Sequence, residues 1–206
     1  MEILVARQVP EVQNAFERLR RSAAIGCDTE TSGLDPDRGK LYSIQFSDGE
    51  LGVLIPLSEG VAMGPFSELL ADEAIVKIFH NARFDIEFLG AAGVSVRNVF
   101  DTMIAEKVLT RGAGQSASLA ETLYRHFGID LDKSLRAKFT RNWNGVWTDE
   151  LVDYALSDVF HLPRLMAAQS DWLARLGLTD EFTAQQERLG ARSRRLTSDG
   201  TPDGPL

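Results

Sequence analysis

Residues 25–34 read Ile-Gly-Cys-Asp-Thr-Glu-Thr-Ser-Gly-Leu. Small and apolar residues from Ala23 to Cys27 make a buried-strand pattern that runs straight into Asp28 and Glu30. Alternate side chains of a strand share a face, so the two carboxylates point the same way. Two like charges held side by side repel, and their ionised forms need a counter-charge. A divalent cation answers that need, because hard Mg²⁺ or Mn²⁺ prefers oxygen ligands. Thr31, Ser32 and Gly33 end the strand with turn residues and leave the pair at an accessible strand end. A solvated strand end with two ordinary acids is the plain alternative, and the rest of the chain decides between them.

The 206 residues fit one domain with a proper core, expected over 1–190, followed by a disordered tail over 191–206. The composition is globular, with 44% hydrophobic and 25% charged residues. Apolar runs are far shorter than a membrane span, and the start lacks the basic residues of a signal peptide, so no membrane association is expected. The single cysteine, Cys27, excludes an internal disulfide and fits a reducing cytoplasm. Its place inside the strand marks it as a small core residue rather than a nucleophile. No Cys/His cluster exists to hold zinc. The net charge of −8 argues mildly against a nucleic-acid partner. Cations held by four acids would offset much of that charge where a phosphate binds.

Along the chain, residues 2–6 read as a short strand and Val12, Ala15, Phe16 and Leu19 as one face of a helix. Residues 41–46 alternate in period two, and Ser-Asp-Gly-Glu turns them into 51–55, so three successive strands are antiparallel. A helix follows Pro65, a buried strand covers 74–79, and a second helix covers 83–91. Asp101 caps another helix after a short strand at 96–100. Residues 111–115 (Arg-Gly-Ala-Gly-Gln) are loop, and Ser118 with Glu121 matches a capping box opening a helix to about Phe127. Thr148 caps a long last helix, which Pro163 kinks or restarts. Strands precede a helix-rich second half, which gives an α/β mixed sheet flanked by helices.

Two more acidic positions complement the first pair. In His80-Asn-Ala-Arg-Phe-Asp85, a strand ends and a helix begins, with Asp85 in the first turn beside the apolar face of Phe84, Phe88 and Leu89. The helix dipole alone would favour a carboxylate there. In Tyr154-Ala-Leu-Ser-Asp158 the phenol and carboxylate share a helix face, and Leu151, Ala155 and Leu162 turn Asp158 inward. An inward Asp is costly unless it is paired or binds metal, although Tyr154 also suits a core position.

Asp28, Glu30, Asp85 and Asp158 with Tyr154 resemble, in order and spacing, the motifs of the DEDD superfamily of 3′–5′ exonucleases in its tyrosine-bearing branch. The intervening Asn98-Val-Phe-Asp-Thr-Met103, Ser118-Leu-Ala120 and Gly128-Ile-Asp-Leu-Asp-Lys133 are similar too, and the likeness covers roughly residues 23–176. The sister branch places a histidine where this chain has Asp153. The nearest likenesses are the proofreading domain of family A DNA polymerases and the ribonuclease D catalytic domain, so the chain reads as a free-standing catalytic domain.

The resemblance implies a ribonuclease-H-like fold and a two-metal phosphodiester hydrolysis using Mg²⁺ or Mn²⁺. It assigns Asp28 to both ions, Glu30 and Asp158 to the nucleophile side, Asp85 to the other, and Tyr154 to orienting the attacking water. Thr31 and Leu34 either grip the 3′-terminal nucleotide or simply form a turn. Asn81, Arg83 and Phe84 are candidates for holding the adjacent nucleotide, and His80 is either a packed strand-end residue or a ligand. Lys138, Arg141, Trp143 and Trp147 read equally as a base-stacking segment or as a loop pinned by buried tryptophans. The expected substrate is the 3′ end of single-stranded DNA, with short RNA or dinucleotides as the alternative and a non-catalytic binding module behind both. A polymerase partner and a homo-oligomer both stay open.

Overall fold

The computed structural model describes residues 2–111, 113–132, 134–140 and 142–198. Of the sequence features named above, Gly112, Lys133, Arg141 and the stretch 199–206 lie outside the described residues. Six strands form one mixed sheet: β1 (Glu2–Val5), β2 (Ala24–Thr31), β3 (Leu41–Ser47), β4 (Leu51–Ile55), β5 (Val76–Phe79) and β6 (Val99–Asp101), in the order β1-β4-β3-β2-β5-β6. The antiparallel run β2-β3-β4 follows the period-two pattern. Asp48 fixes its second turn by accepting from the backbone N–H groups of Glu50 and Leu51. β5 pairs in parallel with β2 at Ala24, Ile25 and Gly26, whereas β3 pairs with it as far as Thr31. The acidic half of β2 therefore runs past β5, and a register shift between Glu30 and Thr31 bends it there.

Helices cover both faces of the sheet. α1 (Val9–Leu19), α2 (Phe66–Ala71) and α3 (Ala82–Ala91) close one face over Ile25, Cys27 and Phe46, with Phe46 stacked on Phe66 at 4.4 Å. α5 (Leu119–Phe127), α6 (Asp149–Phe160) and α7 (Leu162–Arg175) close the other over Leu54 and Ile78. α4 (Thr102–Thr110) and α8 (Thr179–Ser198) meet α7 around a smaller core of Ala105, Val108, Leu173 and Phe182. α6 can approach β2 closely because position 26 is glycine: a Cβ there would lie 2.5 Å from the carbonyl oxygen of Val159.

Four features differ from the pattern reading or decide between its alternatives. Pro163 restarts the helix rather than bending it, sitting in the first turn of α7, where its missing N–H costs nothing. The long last helix breaks again at Gly177, whose φ of +66° ends α7 before α8 begins. α8 then continues through Ser198, into the stretch expected as tail from residue 191; the Ala, Arg and Leu there are strong helix formers. Trp147 is buried, its indole N–H donating to Ser58 Oγ at 3.2 Å, and Trp143 packs edge-on against Tyr42 at 4.8 Å. The aromatic segment before α6 is thus a loop pinned by tryptophans. No described helix is long and apolar enough to cross a membrane.

Candidate active site

The site lies where β2 and β5 end and helices begin on both faces of the sheet. Gly26, Asp28 and Glu30 face α6, while Cys27 and Thr29 face α3, as strand alternation requires. Asp158 comes from the inner face of α6, one turn after the buried Tyr154. Carboxylate oxygens of Asp28, Glu30 and Asp158 all lie within 4.8 Å of one another. Carboxylates so close repel when ionised, and a cation between them relieves that repulsion. Their donor set, oxygen only and partly buried, fits a hard divalent cation and not a soft metal.

Asp85 reaches the same cleft from the first turn of α3 but sits on the opposite side of β2. It is buried, and Thr29 Oγ1 donates to its Oδ1 at 2.7 Å. Burial pushes its pKa up to about 7, more than the hydrogen bonds from Thr29 and nearby backbone N–H groups pull it down. The start of α3 is fixed by Asp101, at the end of β6. Its carboxylate accepts from the N–H groups of Asn81 (3.1 Å) and Ala82 (2.9 Å), and also from Met103 and Ile104 at the start of α4. Asn81 itself adopts a left-handed backbone, φ 71°, which an asparagine tolerates and which turns the chain sharply from strand into helix.

All four acids and Tyr154 line one cleft of about 440 Å³. Thr31, Leu34, Asn81 and Phe84 line it as well. Leu34 stands 82% exposed at the turn, the geometry of an apolar wedge, whereas the Thr31 hydroxyl donates to the carbonyl of Gly33 and braces that turn. Arg83 is not among the lining residues; its guanidinium sits 2.7 Å from Glu87 on the exposed side of α3. His80 is packed at the strand end, with Nε2 2.9 Å from the Ala117 carbonyl and Nδ1 2.8 Å from Thr102 Oγ1, and it also borders the cleft. The sequence reading missed Thr29, Met103, Leu119 and Phe139 as cleft residues. Thr29 was findable, lying between the two acids; Phe139 carries no pattern that would single it out.

Asp85 gives a pH dependence with a definite sign. Between about pH 4 and pH 7 the folded chain holds a proton on Asp85 that the unfolded chain releases, so this group makes the cation-free protein less stable as pH rises through that window. A cation that takes Asp85 as ligand must displace the proton. Its apparent affinity should therefore rise roughly tenfold per pH unit up to about 7 and then level off. Calorimetric Mg²⁺ titrations at pH 6, 7 and 8 check this; an affinity flat across that range would contradict it.

Comparison with known proteins gives a consistent neighbourhood. A family model described as 3′–5′ exonuclease matches residues 5–169. Ribonuclease D of Nitrobacter hamburgensis is 31% identical over 181 residues, covering 87% of this chain and 46% of that protein. DNA polymerase I of Aquifex aeolicus is 32% identical over 166 residues, covering 80% of this chain and 27% of that protein. The chain spans less than half the length of these curated relatives. Among solved structures, Brucella melitensis NrnC bound to pGG is 32% identical with a TM-score of 0.81, covering all of this chain and 98% of that one. The same protein with bound Mg²⁺ is 31% identical with a TM-score of 0.78, at the same coverage.

Proposed function

Because the chain belongs to the 3′–5′ exonuclease family and has its ribonuclease-H-like fold, we propose that it is a metal-dependent exonuclease releasing nucleoside monophosphates from the 3′ ends of short single-stranded RNA. One observation carries the reading: three carboxylates converge within 4.8 Å on the wall of a cleft that also holds Tyr154 and Asp85. Asp28, Glu30 and Asp158 would hold a divalent ion, and Asp85, once deprotonated, would help to hold a second. Two such ions would lower the pKa of a water and neutralise charge as the 3′-oxygen leaves. The chain's own groups do the rest. The Tyr154 phenol, with a free pKa near 10, orients the attacking water rather than deprotonating it. Leu34 and Phe84 hold the terminal bases by apolar contact, while Asn81 and the braced turn at Thr31 position sugar and phosphate. Arg83, out on the solvent side of α3, would meet only a strand that extends beyond the cleft.

RNA is preferred over the DNA expected from the motifs because a ribonuclease D relative spans most of this chain and a full-length structural relative holds pGG. The likeness to a DNA polymerase keeps DNA as the second reading. The buried single cysteine suits a cytoplasmic setting. The test offers 5′-labelled single-stranded RNA, the same sequence as DNA, and a ribonucleotide dimer, each with Mg²⁺, Mn²⁺ or chelator. Products shortening from the 3′ end, faster on RNA and abolished by chelator, are expected. Faster cleavage of DNA would reverse the substrate assignment. Binding without cleavage in either metal would leave a non-catalytic module.

A further inference from the structure

Glu106 lies outside the carboxylate cleft and has no part in the chemistry proposed above, yet its carboxylate is 3% exposed and carries four hydrogen bonds. Arg125 donates to Oε1 through Nε (3.2 Å) and Nη2 (2.9 Å). His126 Nε2 (2.9 Å) and Gln169 Nε2 (3.0 Å) meet Oε2. The bonds do not stop there. Arg125 Nη2 also donates to the Ser116 carbonyl at 2.7 Å, and the next carbonyl, Ala117, meets His80 Nε2 at 2.9 Å. His80 Nδ1 lies 2.8 Å from Thr102 Oγ1, and Gln169 Nε2 donates to the Thr102 carbonyl at 3.0 Å before returning to Glu106.

The contacts close a ring through Glu106, Arg125, residues 116–117, His80, Thr102 and Gln169. Half of it is buried between α4, α5 and α7. The other half fronts the cleft, where His80, Ser118, Leu119 and Ala120 form the wall that follows residues 116–117. Residues 115–117 lack regular structure and lead into Ser118, the N-cap of α5, so the Ser116 and Ala117 carbonyls are placed by the side chains that reach them. A charged donor anchored on a buried anion makes such a tie shorter and stronger, as Arg125 does for the Ser116 carbonyl.

We propose that Glu106 and Arg125 are positioning residues that hang the 116–120 wall of the cleft at the height where it receives the nucleotide, setting substrate affinity and not the chemical step. The inference rests on the exonuclease reading. Burial raises the Glu106 pKa, but the bonds from His126, Gln169 and Arg125 outweigh it and hold the group down at about 2. The anchor is therefore charged at every pH at which a nuclease is assayed.

The test uses the full chain with Arg125→Met, Arg125→Lys and Glu106→Gln. Arg125 is a quarter exposed, so its variants are expected to fold even if Glu106→Gln does not. Arg125→Met should raise KM for a short RNA about tenfold, equivalent to about 1.4 kcal/mol, with kcat within threefold and the Mg²⁺ requirement unchanged. Amide exchange should quicken in 116–120 and stay the same in β2. Arg125→Lys, which keeps a cation, should recover part of the lost affinity. A folded Arg125→Met variant with unchanged KM overturns the proposal, as does a fall in kcat alone. Asp28→Asn is the control for the exonuclease reading: it should abolish turnover without changing exchange at 116–120. If wild type cleaves nothing but binds RNA, the exonuclease reading fails alone, and the Kd of Arg125→Met then decides the wall proposal in the same direction. A wild type that neither cleaves nor binds overturns both.

Discussion

Replacing Asp28 by alanine is expected to lower the rate of 3′-end hydrolysis by roughly a thousandfold or more, while leaving the fold intact. The size follows from position. Asp28 is one of three acids whose carboxylate oxygens converge within 4.8 Å on the wall of the cleft that Asp85 also lines. Direct stabilisation of reacting oxygens is worth several kcal/mol, and each 1.36 kcal/mol is about tenfold in rate. Asp28 is only partly buried, so the melting temperature should stay close to that of the wild type even as activity disappears. Tyr154→Phe removes only the hydroxyl that orients the water and should cost roughly ten- to a hundredfold. Single-turnover rates on labelled RNA, read beside thermal melts, check both. An Asp28→Ala protein that cleaves at the wild-type rate would end the catalytic assignment.

Gly26→Ala should be among the most damaging changes that alter no polar side chain. A methyl at this position would sit 2.5 Å from the Val159 carbonyl oxygen and 3.1 Å from Leu162 Cβ. Neither is the end of a flexible side chain: one is the backbone of α6, the other lies at the root of α7. Relief requires α6 to move off β2, at a cost on the order of 3 kcal/mol. For a chain of this size that is roughly 6–12 °C in melting temperature. The displaced helix carries Tyr154 and Asp158, so activity should fall even at temperatures where the variant is folded. Melting curves and rates at 20 °C separate the two losses; a variant within 2 °C of wild type, by contrast, would show that α6 yields easily there.

The acids were legible because each sits on a regular element whose period fixes its direction: Asp28 and Glu30 two apart on a strand, Tyr154 and Asp158 four apart on a helix. Asp85 was legible as a helix start after a buried strand. Its side chain's partner was not, because Thr29 lies 56 residues away and no local pattern joins them. Glu106 is invisible for the same reason. In α4 it occupies a position that suits a solvent-facing acid, and only the packing of α5 and α7 supplies Arg125, His126 and Gln169. The tryptophans before α6 stayed ambiguous in sequence because aromatic residues serve bases and cores alike. Tyr42 decided it, packing on Trp143 and donating its hydroxyl to the Thr140 carbonyl at 2.6 Å. Helix limits were misjudged where breakers compete: Pro163 was noticed, but Gly177 was not.

Asp101 spends one carboxylate on the first turns of two helices. The consequence is mechanical. α3 and α4 cannot swing independently without stripping a buried anion of its donors, so Asp85 moves only as α4 moves. The Glu106 contacts extend the same coupling to α5 and α7, which makes this side of the cleft a single jaw. Whatever give is needed to admit a strand and let a monophosphate go must then fall to the opposite lip, the turn that bears the exposed Leu34.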